Sequence, residues 1–188
     1  MPNKGPRLLK VPEGDNRERL VCPECDYIAY QNPRVVAGSV VTRGDRILIC
    51  KRSIHPRQGY WTLPAGFVEL GESPEEGARR EAKEEACADI AINQMLAVYS
   101  IPRVGQIQFM FRSTLESEFA AGHETLEAKL VTWDEIPWSE IAFPSVTWAL
   151  HQYRESKDRR DFAPFGNPEG QEGELDELGR WPQRPPTM

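Results

Sequence analysis

Cysteine is scarce in this chain: Cys22, Cys25, Cys50 and Cys87 are the four in 188 residues. In a chain of this length they do not make the disulfide framework of a small secreted protein. No apolar run approaches a membrane span, and the opening stretch MPNKGPRLLK has no apolar signal core. A soluble, cytoplasmic protein without membrane association is the expectation. A basic excess is missing as well. The net charge is −6 and the pI near 5.2, which argues against a general nucleic-acid or anionic-membrane surface. Hydrophobic residues make up only 39%, with much of the shortfall at the two ends. The length still allows one domain with a real core.

What is present is concentrated between Gly66 and Ala88. Ser73-Pro74-Glu75-Glu76 reads as a helix start, with Ser73 as N-cap, Pro74 at the first helical position and Glu76 closing a capping box. The helix is expected over residues 74–86. Ala78 and Ala82, four apart, give a small-residue stripe for close packing, and Glu81, Glu84 and Glu85 project from one face. For a plain helix that face is unfavourable. Glu81 and Glu85 are a like-charge i,i+4 pair that costs roughly a few tenths of a kcal/mol, and acids near the C-terminal end oppose the macrodipole. A divalent cation reverses both penalties. Three clustered carboxylates are the oxygen-rich set that magnesium or manganese prefers. For an isolated E-x-x-E-E, a solvated acidic face is the plainer alternative.

The flanking residues favour the cation. Gly66, Glu72, Arg80, Glu81, Ala82, Glu84, Glu85, Cys87 and Ala88 stand at the places of a signature: G, five residues, E, seven residues, R-E, an aliphatic, any residue, E-E, any residue, G, an aliphatic. This is the signature of the Nudix hydrolase superfamily, which the chain resembles. Two departures are visible: Cys87 replaces the glycine, and Ala82 and Ala88 are small for aliphatic places. A cysteine at a helix C-terminus, where glycine relieves a left-handed backbone, points to a different loop exit with the carboxylates intact. Gly59, Trp61, Leu63, Pro64 and Gly66 match the G-x-W-x-L-P-x-G common before that box, and Trp133-Asp134-Glu135-Ile136-Pro137 resembles the start of the family's last part.

The resemblance covers roughly residues 31–157. It implies an α/β/α sandwich with a mixed sheet, and hydrolysis of a nucleoside diphosphate linked to another group. It further implies Glu81, Glu84 and Glu85 as metal ligands, with Gly66 lending a backbone carbonyl and Arg80 orienting the carboxylates. The base is Glu85 or a loop glutamate. Glu124 and Glu127 are both candidates for base or extra ligand, and equally for an ordinary charged approach to a strand; Glu69 is a further candidate. A homodimer is implied by the resemblance alone.

Three segments are expected: a zinc-ribbon-like segment over 1–33, the hydrolase domain over 34–158, and a mobile tail rich in Pro, Gly and Glu over 159–188, with Trp181 its one large anchor. The first holds Cys22-Pro23-Glu24-Cys25, then Tyr30-Gln31-Asn32-Pro33, and resembles the ribbon and junction of some Nudix proteins. A structural zinc site needs four ligands. With Cys50 inside a predicted strand and His55 in a loop, the segment reads as a degenerate hairpin that keeps its shape without metal, and Cys22 and Cys25 as doubtful zinc ligands. Strands are expected over 35–42 and 46–52 as a hairpin, then over 61–64, 89–92, 95–101, 106–114 and 128–132, with a second helix over 144–157 on the sheet face opposite the first. Gln108, Met110 and Arg112 face away from Ile107 and Phe109, toward a ligand cleft. Tyr30, Tyr60 and Phe67 are candidates for stacking on adenine, or for plain packing.

NADH pyrophosphatases carry an S-Q-P-W-P-F-P stretch that is absent here. Tyr99-Ser100-Ile101-Pro102 followed by Gly105-Gln106 looks more like the ADP-ribose and FAD group. ADP-ribose or FAD is therefore expected first and NADH second, with magnesium or manganese as cofactor. The competing readings are a non-catalytic nucleotide sensor of the same fold, which the intact R-E-x-x-E-E disfavours, and a zinc-ribbon nucleic-acid module, which the acidic balance disfavours.

Overall fold

The structure, a computed structural model, describes residues 5–172. The chain divides into two compact units, one up to Pro33 and one from Arg34. In the first, β1 (Leu8–Lys10), β2 (Arg19–Val21) and β3 (Ile28–Ala29) form an antiparallel sheet, one strand more than the expected hairpin. The third strand arises from a tight turn in which the Cys22 amide donates to Tyr27 and the Asp26 amide to Cys22. Arg7 forks onto the Glu24 carboxylate and holds it down to about 2. Cys22 is buried, and its thiol lies 3.1 Å from Glu24 Oε2 as donor; Cys25 is exposed. Among the described residues of this unit no third His, Cys, Asp or Glu side chain joins the two thiols to hold a metal. The two thiols therefore provide half of a tetrahedral zinc site.

The second unit runs β4 (Arg34–Arg43), β5 (Arg46–Arg52), β6 (Trp61–Thr62), β7 (Ala65–Phe67), α1 (Pro74–Ala86), β8 (Ile90–Ile101), β9 (Gln106–Leu115), β10 (Thr125–Val131) and α2 (Pro144–Ser156). The main sheet has the order β10-β5-β4-β9-β8. It is mixed: β4 and β9 are parallel over nine register pairs from Arg34↔Gln106 to Thr42↔Thr114, and the other pairings are antiparallel. The β4–β5 hairpin holds only at Thr42↔Ile47 and Arg43↔Arg46. Beyond these pairs β6 takes the edge of β5 and β7 the edge of β4. The wedge sets Gly66 opposite Ala37 in β4.

Alternation along β4 and β5 builds two cores. Val40, Ile47 and Ile49 pack with Trp148 and Leu150 of α2; Val41, Leu48 and Cys50 pack with Ala82 and Ala86 of α1. A one-residue slip of β5 would exchange these sets between faces. Burying one Leu or Ile fully is worth about 1.5–3 kcal/mol, so the two cores, rather than the two hairpin pairs, fix the register. The helices cover opposite faces, and the unit is an α/β/α sandwich. No helix among the described residues is long and apolar enough to cross a membrane.

Three expectations are corrected. The strands expected over 89–92 and 95–101 are one, because bulges between Ile92 and Gln94 and between Met95 and Ala97 absorb the break in pattern. Arg112 does not serve the cleft: its guanidinium donates to the carbonyls of Ser156, Lys157 and Arg159 at 2.9–3.1 Å and so closes the end of α2. The stretch after α2 is docked as far as the described residues run. β8 is an edge strand with open backbone groups. The Phe165 amide donates to Leu96, the Val98 amide donates to Phe165, and the Asn167 side chain pairs with both backbone groups of Ser100. Phe162 is buried beside this contact. Trp181 lies outside the described residues.

Candidate active site

Helix α1 starts as its sequence dictates. The Ser73 amide donates to Glu76 Oε2 at 2.7 Å, and the Glu76 amide to Ser73 Oγ at 3.2 Å. Ala78, Ala82 and Ala86 are fully buried, so the helix lies close on the sheet with its acidic face turned to the β7 side. At its end Cys87 adopts φ 50 and ψ 24, the left-handed conformation, and the Ala88 amide returns to the Ala82 carbonyl at 3.1 Å. The loop exit is thus the one a glycine would give, and the expectation of a different exit is wrong. Left-handed backbone costs an L residue roughly 1–2 kcal/mol, and the closing hydrogen bonds hold the cysteine there.

The carbonyls at the end of α1 meet the loop after β9. Ala120 and Gly122 donate their amides to Ala86 and Glu85, each at 2.9 Å. A β-carbon on Gly122 would stand 1.8 Å from the Glu84 carbonyl oxygen. Only glycine permits this crossing, which brings His123 and Glu124 to the cleft. Glu127 goes elsewhere: it is exposed on β10 with Lys51 as its cross-strand partner and is not among the residues lining the cleft.

Arg80 organises the acidic face. A guanidinium has five N–H donors, and five bonds are made here. Nε and Nη2 fork onto Glu72 at 3.1 and 2.8 Å, Nη1 reaches Glu81 at 2.8 Å and Glu84 at 2.9 Å, and Nη2 also donates to the Phe67 carbonyl at 2.7 Å. Glu72 accepts from the Glu69 amide too, which ties the loop before α1 to the arginine. Glu81 lies against Gly66, whose absent β-carbon would sit 2.3 Å from the carboxyl carbon. Burial pushes the Glu81 carboxyl up, against the pull of Arg80. Glu85 is 6% exposed and accepts from the Ala65 amide at 2.9 Å. Burial is the main cause that pushes its carboxyl up to about 8, and the charges of Glu81 and Glu124 add to it. The Glu84 side chain is 59% exposed.

These groups form one wall of a cleft of about 1050 Å³, shared with Gly66, Glu69 and Phe67. Arg52, His55 and Arg103 add cationic and titratable groups, and Ile101, Met110 and Val146 an apolar part. Gln106 and Gln108, joined by a 3.1 Å amide contact, also line it. Phe67 lies under the Arg34 guanidinium, 4.7 Å from ring centre to charge. Tyr60 is outside the cleft lining and Tyr30 belongs to the first unit. Sequence reasoning missed β7, Arg52 and Ser145. The Pro144-Ser145 helix start was the one signal for Ser145. The donors on this wall are all oxygens, buried or held beside one another by Arg80, and Gly66 leaves the room that Glu81 fills. In this structure no three of these carboxylates are gathered to hold an ion as they stand, but an all-oxygen set is the kind a hard divalent cation prefers.

Comparison with known proteins agrees with this geometry. Residues 32–150 match the NUDIX domain family, and residues 4–31 match the family described as Nudix N-terminal, a zinc ribbon. The ADP-ribose pyrophosphatase of Methanocaldococcus jannaschii is 33% identical over 123 residues, spanning 62% of this chain and 71% of that protein. The NAD-capped RNA hydrolase NudC of Pseudomonas aeruginosa is 38% identical over 79 residues, 41% of this chain but 27% of that protein. A NUDIX hydrolase structure from Nitrosomonas europaea superposes with a TM-score of 0.79 at 41% identity, covering 85% of this chain and 93% of that one. With its box residues gathered on one wall of a cleft and the family matched over most of its length, the chain belongs to the Nudix hydrolases.

Proposed function

We propose that this chain hydrolyses the diphosphate bond of a nucleoside diphosphate linked to another moiety, with ADP-ribose or FAD preferred and NADH second, and releases a nucleoside monophosphate. The observation that carries this reading is the meeting of Glu81, Glu84, Glu85 and Glu124 in one large cleft that Arg52 and Arg103 also line. The names of the relatives, one acting on ADP-ribose and one on NAD-capped RNA, point to the same bond. The cleft is at the upper end of the usual range for ligand sites, about 300–1,000 Å³, which suits a dinucleotide better than a mononucleotide.

Magnesium or manganese would be held by Glu81, Glu84, Glu85 and the Gly66 carbonyl. When bound, such an ion screens the phosphates, acidifies a water and takes up charge on the leaving oxygen. The chain's own residues do the rest. Arg80 keeps Glu81 and Glu84 in register and Glu72 keeps Arg80. Glu85 or Glu124 accepts the proton from the attacking water. Cys22 and Cys25 have no role in this chemistry. A homodimer belongs to the same reading and is tested by sedimentation.

The experiment is a release assay with magnesium on ADP-ribose, FAD, NADH and nucleoside triphosphates, run beside Glu84→Gln. AMP released from a dinucleotide-type substrate and lost in the variant supports the proposal. Binding of ADP-ribose without turnover of any substrate would replace it with a nucleotide sensor.

A further inference from the structure

Helix α2 ends at Ser156, and the chain keeps packing after it. Residues 162–171 run along the open edge of β8, where Phe165 makes two backbone bonds. Further along, Asn167 stands in for a residue of one more strand. Its Oδ1 accepts from the Ser100 amide at 3.0 Å, and its Nδ2 donates to the Ser100 carbonyl at 2.8 Å. The same Nδ2 donates to the Gln171 carbonyl at 3.0 Å, which fixes the asparagine head between the two partners.

The stretch is tied to α2 as well. Gln152 on that helix donates to the Gly166 carbonyl at 3.0 Å and accepts from the Tyr99 hydroxyl of β8 at 2.5 Å. The Trp148 indole donates to Gln171 Oε1 at 2.7 Å. Tyr99 and Trp148 meet edge to face in the core, 5.4 Å between ring centres. Buried Tyr and Trp need partners for their polar ends. Trp148 takes its partner from the stretch, and Tyr99 takes a glutamine that the stretch engages. Ser100 is followed by Ile101 and the turn into β9, and Ile101, Arg103 and Val104 line the cleft; from α2, Val146 does so. One clamp thus joins the two elements that supply the apolar part of the cleft, while Asn167 and Gln171 are not among the residues lining it.

We propose that residues 162–171 are a positioning strap, with Asn167 its key residue, that holds the turn between β8 and β9 against α2 and so sets the affinity of the cleft for substrate. The far end of that turn is tied to the sheet, since the Arg34 amide donates to the Gly105 carbonyl at 2.8 Å. The near end lies on an edge strand, whose outward backbone groups have no strand neighbour; Asn167 supplies the missing bonds. Among the described residues, the hydrogen bonds of the strap to the rest of the chain go to β8 and α2, whereas Glu81, Glu84 and Glu85 stand on α1. The strap therefore acts on binding and leaves proton transfer and metal ligation alone. Its effect on substrate rests on the hydrolase reading; its hold on the turn does not.

The test compares the full chain with Asn167→Ala and Gln171→Ala, by amide hydrogen exchange in NMR and by kinetics on ADP-ribose with magnesium. In Asn167→Ala, exchange at the Ser100, Ile101 and Gly105 amides should rise at least about tenfold, with β4 unchanged. KM should rise about fivefold with kcat within about twofold, the pattern of a binding interaction lost equally from ground and transition states. Gln171→Ala should move both readouts in the same direction by less. Faster exchange at Ser100 alone, with KM unchanged, would overturn the proposal and leave the stretch a cover for the sheet edge. A fall in kcat at constant KM would overturn it too. If the wild-type chain neither binds nor cleaves ADP-ribose, the hydrolase reading has failed, and exchange at Ile101 and Gly105, which needs no substrate, still decides whether the strap holds the turn.

Discussion

Gly66 and Glu81 are packed so closely that a β-carbon on Gly66 would fall 2.3 Å from the Glu81 carboxyl carbon. The obstruction is the end of a side chain, which can swing aside. Arg80 resists that swing through its 2.8 Å bond. Gly66→Ala should therefore displace one proposed ligand while β7 keeps its pairing with β4. Turnover of ADP-ribose is expected to fall at least about 100-fold, since misplacement by about 1 Å costs that much. Stability should fall by only about 1 kcal/mol, or roughly 3 °C for a chain of this size. A Gly66→Ala protein with near wild-type turnover would show that the Glu81 position is irrelevant.

Gly122 poses the opposite case. Its missing β-carbon would meet the backbone oxygen of Glu84 at 1.8 Å, and backbone cannot swing. Gly122→Ala must push the loop off the end of α1, breaking the 2.9 Å bonds to Glu85 and Ala86. The expected loss is about 2–3 kcal/mol, the usual scale for forced overpacking, together with a fall in activity because Glu124 moves with the loop. Thermal melting and the release assay, run on the same preparation, check both.

The contrast shows what the sequence could and could not carry. Helix α1 was legible to the residue because capping, small-residue spacing and charge are local. Strands β4 and β5 were legible because their residue types and the turn between them are local too. Gly122 looked like any loop glycine, since its reason lies at Glu84, 38 positions away in α1. β7 was hidden because it is a strand only through its partner β4. The docked stretch around Phe165 lacked periodicity and read as tail; its partner is the open edge of β8, which no local pattern reveals.

Glu124 and Glu127 could not be told apart in the sequence, and the structure separates them. Glu124 lines the cleft, and its charge is felt by both Glu81 and Glu85. Glu127 sits exposed opposite Lys51. Glu124→Gln should lower kcat by about 10²–10⁴, the range for loss of a general base. Glu127→Gln should stay within twofold. Equal effects from the two variants would remove Glu124 from the proposed mechanism.

Cys87 offers a gain rather than a loss. It holds a left-handed backbone at φ 50 on an exposed position. Glycine adopts this conformation without a β-carbon penalty, though it loses more entropy on folding. The balance favours Cys87→Gly by about 0.5–1 kcal/mol, which is roughly 2–3 °C in Tm. Activity should not change, since no cleft-lining group moves. A lower Tm than wild type would mean that the cysteine makes a contact worth more than its strain.

Glu85 ties the proposed chemistry to stability. Its carboxyl is pushed up to about 8 from an ordinary 4.5, first by burial. The folded chain thus holds this proton more tightly than the unfolded chain. The stability it contributes is fully present below pH 4.5 and is lost as the pH rises through 8. At about 1.4 kcal/mol per pKa unit the loss is on the order of 5 kcal/mol. Glu85→Gln mimics the protonated form and keeps an oxygen for the Ala65 amide, so it does not lose this stability. In EDTA the two proteins should melt together near pH 5, with the variant the more stable at pH 9. A bound divalent cation favours the ionised carboxylate, so magnesium should raise the wild-type Tm at pH 8.5 far more than at pH 5, and more than that of the variant. Melting curves across this range, with and without magnesium, decide it: parallel pH profiles for the two proteins would mean that Glu85 is ionised in the folded chain throughout, and its burial would then need a compensating charge that the carboxylate wall does not supply.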